Sequence, residues 1–203
     1  MRIGIVVDGE AEYASLTLMF PALQAHTNHT LLHPVLAKIQ PYAPPGAIAQ
    51  RCTLASRAFL HKSPDLIVVL FDRENRSECC GTLARQVEAS LESGIPCSVG
   101  VVVKDRMFEN WLVADLDALE QQPARFRLSQ RDRRLVAPNK SDRCDALSLL
   151  KRATGHEYDK VRDAKNVLKR ASPERIAANS RSFRGFLRLL GDPDYLDQSL
   201  NPR

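Results

Sequence analysis

Residues 66–76 read LIVVLFDRENR, and the reading of this stretch decides the fold. An uninterrupted apolar run rich in β-branched residues, stopped by Asp72, is what a strand covered on both faces of a parallel sheet looks like. Ser63-Pro64 breaks the chain just before it. After it, Leu83, Val87 and Leu91 recur at helical spacing, which predicts a helix ending near Ser93-Gly94. IPCSVGVVVK, residues 95–104, then supplies another buried strand. Upstream, IGIVV (residues 3–7) is a strand ended by Asp8 and Gly9. From Glu10, the residues Tyr13, Leu16, Met19, Phe20 and Leu23 predict a helix reaching Thr27-Asn28. HPVLAKIQ (residues 33–40) reads as a further strand, PYAPPG as a loop, and residues 47–62 as a helix. Strand and helix in alternation imply right-handed crossovers and a parallel sheet flanked by helices, an α/β, Rossmann-like domain over residues 1–120. Residues 121–203 carry no sustained period-two alternation and are divided by Pro123, Pro138 and Pro173, so they read as a mostly helical, basic extension packed on that domain.

The net charge of +5 hides an asymmetry. Residues 1–120 hold 10 Lys or Arg against 14 Asp or Glu, net −4, while residues 121–203 hold 19 against 10, net +9. A basic half is the footprint expected for a polyanion such as nucleic acid, and solvated helix faces would give the same count. The opening MRIGIVVDGE is too short an apolar run for a secretory signal, and no later stretch approaches a membrane span. The five cysteines lack zinc-ribbon spacing. Free thiols in a reducing cytoplasm, with no membrane contact, are the expectation.

Ligands of open parallel sheets bind beyond the carboxyl ends of the strands. Asp8 ends the first strand and Asp72 the central one, so the two converge if those strands are neighbours. Glu12, four residues after Asp8, can rise over the same point from the first helical turn, and Glu74 follows Asp72 by two. Carboxylates about 4 Å apart repel by roughly 1 to 4 kcal/mol per pair, so such a cluster calls for a cation. An oxygen-only set suits Mg2+ or Mn2+ rather than zinc, and points to metal-dependent phosphoryl transfer. Taken singly, each acid could instead serve as a helix cap or a macrodipole partner.

VVDGEAEYASL followed by VVLFDREN resembles the Toprim pattern, in which an acid and a following Gly end the first strand and a DxD-type pair ends a later one. MFENWLVADLDAL is similar to the E-x-W-L-x-A-D segment of a family of small bacterial Toprim-like proteins, and the similarity runs on through PNKSDRCDALSLL, YDKV and SRSFRGFLRLL. The resemblance implies a nuclease-like site with Asp8, Glu12, Asp72 and Glu74 as catalytic and metal-binding residues, and Glu109 and Asp115 as further candidates. It also implies a partner ATPase, because related proteins resemble components of bacterial defence systems that pair the two. Asp8 stands where the pattern usually has Glu, and Glu74 where it has a second Asp; both keep an oxygen donor and a charge.

In SRSFRGFLRLL, Arg181, Arg184 and Arg188 form one helical stripe, and Phe183, Phe186, Leu187 and Leu190 line much of the remainder. These arginines and Lys140 are the candidate phosphate contacts. Two other functions fit the same residues. One is a non-catalytic module that binds nucleic acid or an ATPase. The other is a receiver-like phosphoacceptor domain, in which Asp8, Asp72 and Lys104 end three strands.

Overall fold

The computed structural model describes residues 1–91, 95 and 97–196. Its strands are β1 (Arg2–Val7), β2 (Thr30–Leu31), β3 (Val35–Leu36), β4 (Leu66–Asp72) and β5 (Ser98–Lys104). They form one sheet in the order β2-β1-β4-β5, with β3 also pairing β1, and every pair is parallel. LIVVLFD is thus an inner strand, and its lack of polar alternation follows from burial on both faces.

Two expectations change in detail. HPVLAKIQ contributes only Val35–Leu36, with Thr30–Leu31 pairing β1 separately; Pro34 between them lacks the N–H that an unbroken ladder needs. The helix after β1 is broken into α1 (Glu10–Ser15), a 3-10 turn (Leu16–Met19) and α2 (Phe20–Thr27). Pro21 explains the restart, since a proline is tolerated in a first helical turn and not in a helix interior. Helix α3 (Pro45–Ser56) passes into a 3-10 turn over Arg57–Lys62. Helix α4 spans Cys80–Ser90, and the expected end at Ser93-Gly94 lies outside the described residues.

After β5 the described chain is helical: α5 (Glu109–Ala114), α6 (Leu116–Glu120), α7 (Gln130–Val136), α8 (Ala146–Ala153), α9 (Lys160–Leu168), α10 (Pro173–Asn179) and α11 (Arg181–Leu189). Side-chain alternation along the strands divides the core in two. Ile3, Ile5, Val7, Val68, Leu70 and Val102 face one layer, with α1, α2 and the helices after β5. Val6, Ile67, Val69, Phe71, Val101 and Val103 face the other, with α3 and α4. The first core is continuous across residue 120. Trp111 is buried against Phe183 (ring centroids 4.9 Å apart) and Phe186 (5.5 Å), and its Nε1 donates to Ser182 Oγ at 2.8 Å. Gly100 lets α11 lie directly on β5, because a Cβ there would fall 2.6 Å from Leu189 Cδ1.

Candidate functional site

Because β1, β4 and β5 are parallel neighbours, their carboxyl ends share one edge of the sheet. The register sets Val7 beside Leu70 and Asp72 beside Lys104. Asp8, one residue past β1, accepts the Asp72 backbone N–H on Oδ2 at 2.8 Å. Lys104 is wholly buried, and its Nζ lies 2.8 Å from Asp8 Oδ1 and 3.1 Å from Asp72 Oδ1, in contact with Glu12 Oε1. Glu12 reaches this point from α1 because residue 9 is glycine; a Cβ there would strike Glu12 Oε2. The carboxylate oxygens of Asp8, Glu12 and Asp72 come within 4.8 Å of one another.

A second tier of charge surrounds this centre. Glu109, the first residue of α5, is buried, and Lys160 at the start of α9 lies 3.3 Å from its Oε1. Burial, and then the charges of Asp8, Glu109 and Glu74, push the Asp72 carboxyl well above the ordinary aspartate range, with Lys160 opposing. Burial likewise raises Glu74, helped by Asp8. Burial holds Lys104 below the ordinary lysine value, although Asp8 acts the other way. Lys104 and Lys160 offset the charge of Asp8, Glu12, Asp72, Glu74 and Glu109, and Arg76 acts on Glu74 from the lip. Glu12 Oε1 and Asp72 Oδ1 are buried, and the Lys104 ammonium is the group both of them approach.

The other residues expected at the site are distributed differently. Glu74 does not join the converging carboxylates. β4 ends at Asp72, and Glu74 has a left-handed backbone (φ 59°), so the extended geometry that would set it beside Asp72 does not apply. It stands instead at the lip, its N–H donating to the Arg106 carbonyl at 2.7 Å. Asp115 is also outside the cluster. It caps α6 through the Ala118 N–H, accepts the Ser172 N–H at 2.8 Å, and pairs with Arg175 Nε at 2.7 Å, which ties α6 to α10.

The arginine stripe of α11 is not a uniform phosphate face. Arg184 is turned inward to the Ala177 carbonyl and Asn139 Oδ1, and burial lowers its proton affinity. Arg181 lies 3.6 Å from Asp105, while Arg188 is half-buried and Lys140 is exposed. Trp111 is the core anchor described above.

Sequence reasoning named Lys104 only as part of a receiver-like arrangement, yet it is the residue on which Asp8, Glu12 and Asp72 converge. The signal was a charged residue closing the apolar run VGVVVK, in the same relation to β5 as Asp72 is to β4. Asn110 was also missed. It is buried and donates through Nδ2 to the Ser141 (2.6 Å) and Cys144 (3.0 Å) carbonyls, holding the PNKSDRC segment beside the site.

Asp8, Glu12 and Asp72 could hold a hard divalent cation: they offer oxygen donors only, and three carboxylates outnumber the one lysine among them. Lys104 supplies one positive charge there, so an ion would share the carboxylates with it. What fold and site define is an α/β protein with a Rossmann-like parallel sheet and an acidic, lysine-centred site at the strand ends. The chain belongs to the family described as a domain of unknown function, DUF4276, whose pattern matches residues 7–191. No curated protein and no solved structure matches it. No helix among the described residues is long and apolar enough to cross a membrane.

Proposed function

We propose that this protein is a Toprim-like nuclease dependent on Mg2+ or Mn2+, hydrolysing phosphodiester bonds in DNA or RNA. The observation that carries the reading is the convergence of Asp8, Glu12 and Asp72, whose carboxylate oxygens lie within 4.8 Å of one another at the carboxyl ends of β1 and β4. Asp8, Glu12 and Asp72 are the residues that would hold the ion. When bound, a divalent cation neutralises phosphate charge and lowers the pKa of coordinated water. Lys104 keeps the carboxylates gathered and offsets part of their repulsion. Glu74, half-buried at the lip with raised proton affinity, is suited to exchange a proton with the attacking water or the leaving oxygen. Glu109, buried and paired with Lys160, adds negative charge that favours the ion.

A partner ATPase in a defence-type system belongs to the same proposal, on the sequence resemblance. So does a cytoplasmic setting, which the five free cysteines suit. The test incubates purified protein with single-stranded and duplex DNA and RNA in Mg2+ or Mn2+, beside Asp72→Ala. Cleavage by the parent and none by the variant is expected; cleavage that survives the substitution overturns the site, and none with any substrate or ion overturns the activity.

One observation favours a second reading, a receiver-like phosphoacceptor: Lys104 Nζ stands between Asp8 and Asp72. Acetyl phosphate would then label Asp72, and absence of label in the intact protein with Mg2+ removes that reading.

A further inference from the structure

Beside the acidic centre lies a cleft of about 470 Å³, walled by the segments that follow β4 and β5. Arg73, Arg76, Arg106 and Arg143 line it, together with Glu74, which is also the lip of the acidic centre. The acids on its wall are largely spoken for. Asp105 is paired with Arg73 (Nη2 at 2.7 Å, Nε at 2.9 Å) and Arg181, and Asp142 accepts hydrogen bonds from Ser180 and Ser182. Arg76, Arg106 and Arg143 form no ion pair with any carboxylate among the described residues, so the cleft presents a surplus of guanidinium groups. Planar guanidinium forks match phosphate oxygens.

The surface continues past the cleft. The Arg76 guanidinium lies 5.8 Å from the ring centroid of Tyr42, and its Nη2 donates to the Ala43 carbonyl at 2.7 Å. Arg73 Nη1 donates to the Arg76 carbonyl at 2.7 Å, so the aromatic and the arginine loop are tied together. Tyr42 is 57% exposed, so its ring is accessible from solvent. Arginines that follow a backbone, with an exposed ring alongside, are the chemistry of unpaired nucleic acid: phosphates meet cations and a base stacks on the ring. A cleft of this volume takes a nucleotide unit. A free mononucleotide would leave Tyr42, one arginine further on, without a role.

We propose that the Arg76–Arg106–Arg143 cleft and Tyr42 bind an unpaired nucleic-acid strand and lead its backbone past Glu74 to the carboxylate centre. This rests on the phosphodiester reading above and names the form of its substrate.

The test is fluorescence anisotropy with labelled oligothymidylate and oligouridylate of about a dozen nucleotides and a blunt duplex of similar length, all in EDTA so that no cleavage can occur. At least one single strand should bind at least about tenfold more tightly than the duplex. Arg143→Glu and Tyr42→Ala, both at exposed positions, should each weaken that binding about tenfold with unchanged melting temperature. The log–log salt slope should be about −2 for the parent, from roughly 0.7 per phosphate neutralised on a single strand. Equal affinity for the duplex, no binding by either strand, indifference to both substitutions, or displacement by millimolar AMP would each overturn the proposal. Binding in EDTA is independent of hydrolysis. If the strand binds as described and no cleavage occurs with metal, the nuclease reading fails while the cleft stands; if cleavage occurs and the two variants bind like the parent, the cleft fails alone.

Discussion

A side chain at position 9 would occupy the space into which the Glu12 carboxylate folds. The Gly9 backbone itself is ordinary extended chain (φ −112°, ψ 150°), so alanine is conformationally permitted there, and the atom it would displace is the end of a flexible side chain. Gly9→Ala should therefore leave the metal-free protein within about 0.5 kcal/mol of the parent. Glu12 would move away from Asp8 and Asp72, and Mg2+ affinity should fall about tenfold, in the range seen when a group that orients a metal ligand is altered. The check is thermal melting across a Mg2+ titration. A midpoint shifted to higher Mg2+ with an unchanged metal-free Tm supports the role given to Gly9, and an unchanged midpoint refutes it. The same residue marks the limit of the sequence reading. VVDGE displays the acids openly, and the need for glycine between them comes from a three-dimensional approach that no spacing rule encodes.

Among the elements, β4 was legible because six apolar residues in a row leave little choice but an inner strand, and β5 because Val99–Val103 is a β-branched run; that β5 is the edge of the sheet was not legible. Their register was not legible, and it is the register that sets Lys104 against Asp72 and converts an acidic edge into a lysine-centred site. Glu74 stands at the lip for a related reason: a two-residue offset faces one way only while the chain stays extended, and β4 stops at Asp72. Asp115 and Arg184 look like site residues in the sequence and are struts in the fold, because a charged side chain announces its charge and not its partner. The short α5 carries two duties, holding Glu109 at the site and anchoring α11 through Trp111. Trp111→Ala should cost about 3–5 kcal/mol, since it removes a fully buried ring and leaves Ser182 Oγ without its indole donor. Denaturant unfolding measures this; a loss under about 1 kcal/mol would mean that α11 is held chiefly by its other contacts.

For the whole molecule, the acidic centre stores unfavourable charge that stability measurements can read. The Asp72 carboxyl has a higher proton affinity folded than unfolded, so its ionisation opposes folding: its contribution to stability declines as pH rises from about 4 through the raised folded value. Asp132, Asp145 and Glu174 have lowered values and act in the opposite sense, their stabilisation being lost as pH falls, so the parent's profile alone mixes the two. The difference between Asp72→Asn and the parent isolates the first effect. In EDTA the variant should be the more stable protein, by an amount that grows from pH 4 to pH 8. Relief of like-charge repulsion of about 1 kcal/mol or more corresponds to a rise of about 2–4 °C in Tm for a chain of this size. Saturating Mg2+ should reverse the order. On the proposed reading the ion binds the ionised parent and would lack one charged ligand in the variant, and ligand at a hundred times Kd stabilises by about 2.7 kcal/mol. Differential scanning calorimetry at several pH values, with EDTA and with Mg2+, decides the matter. A variant less stable than the parent at pH 8 in EDTA would mean that Lys104 fully compensates the cluster, and with that the electrostatic case for a bound cation would be gone.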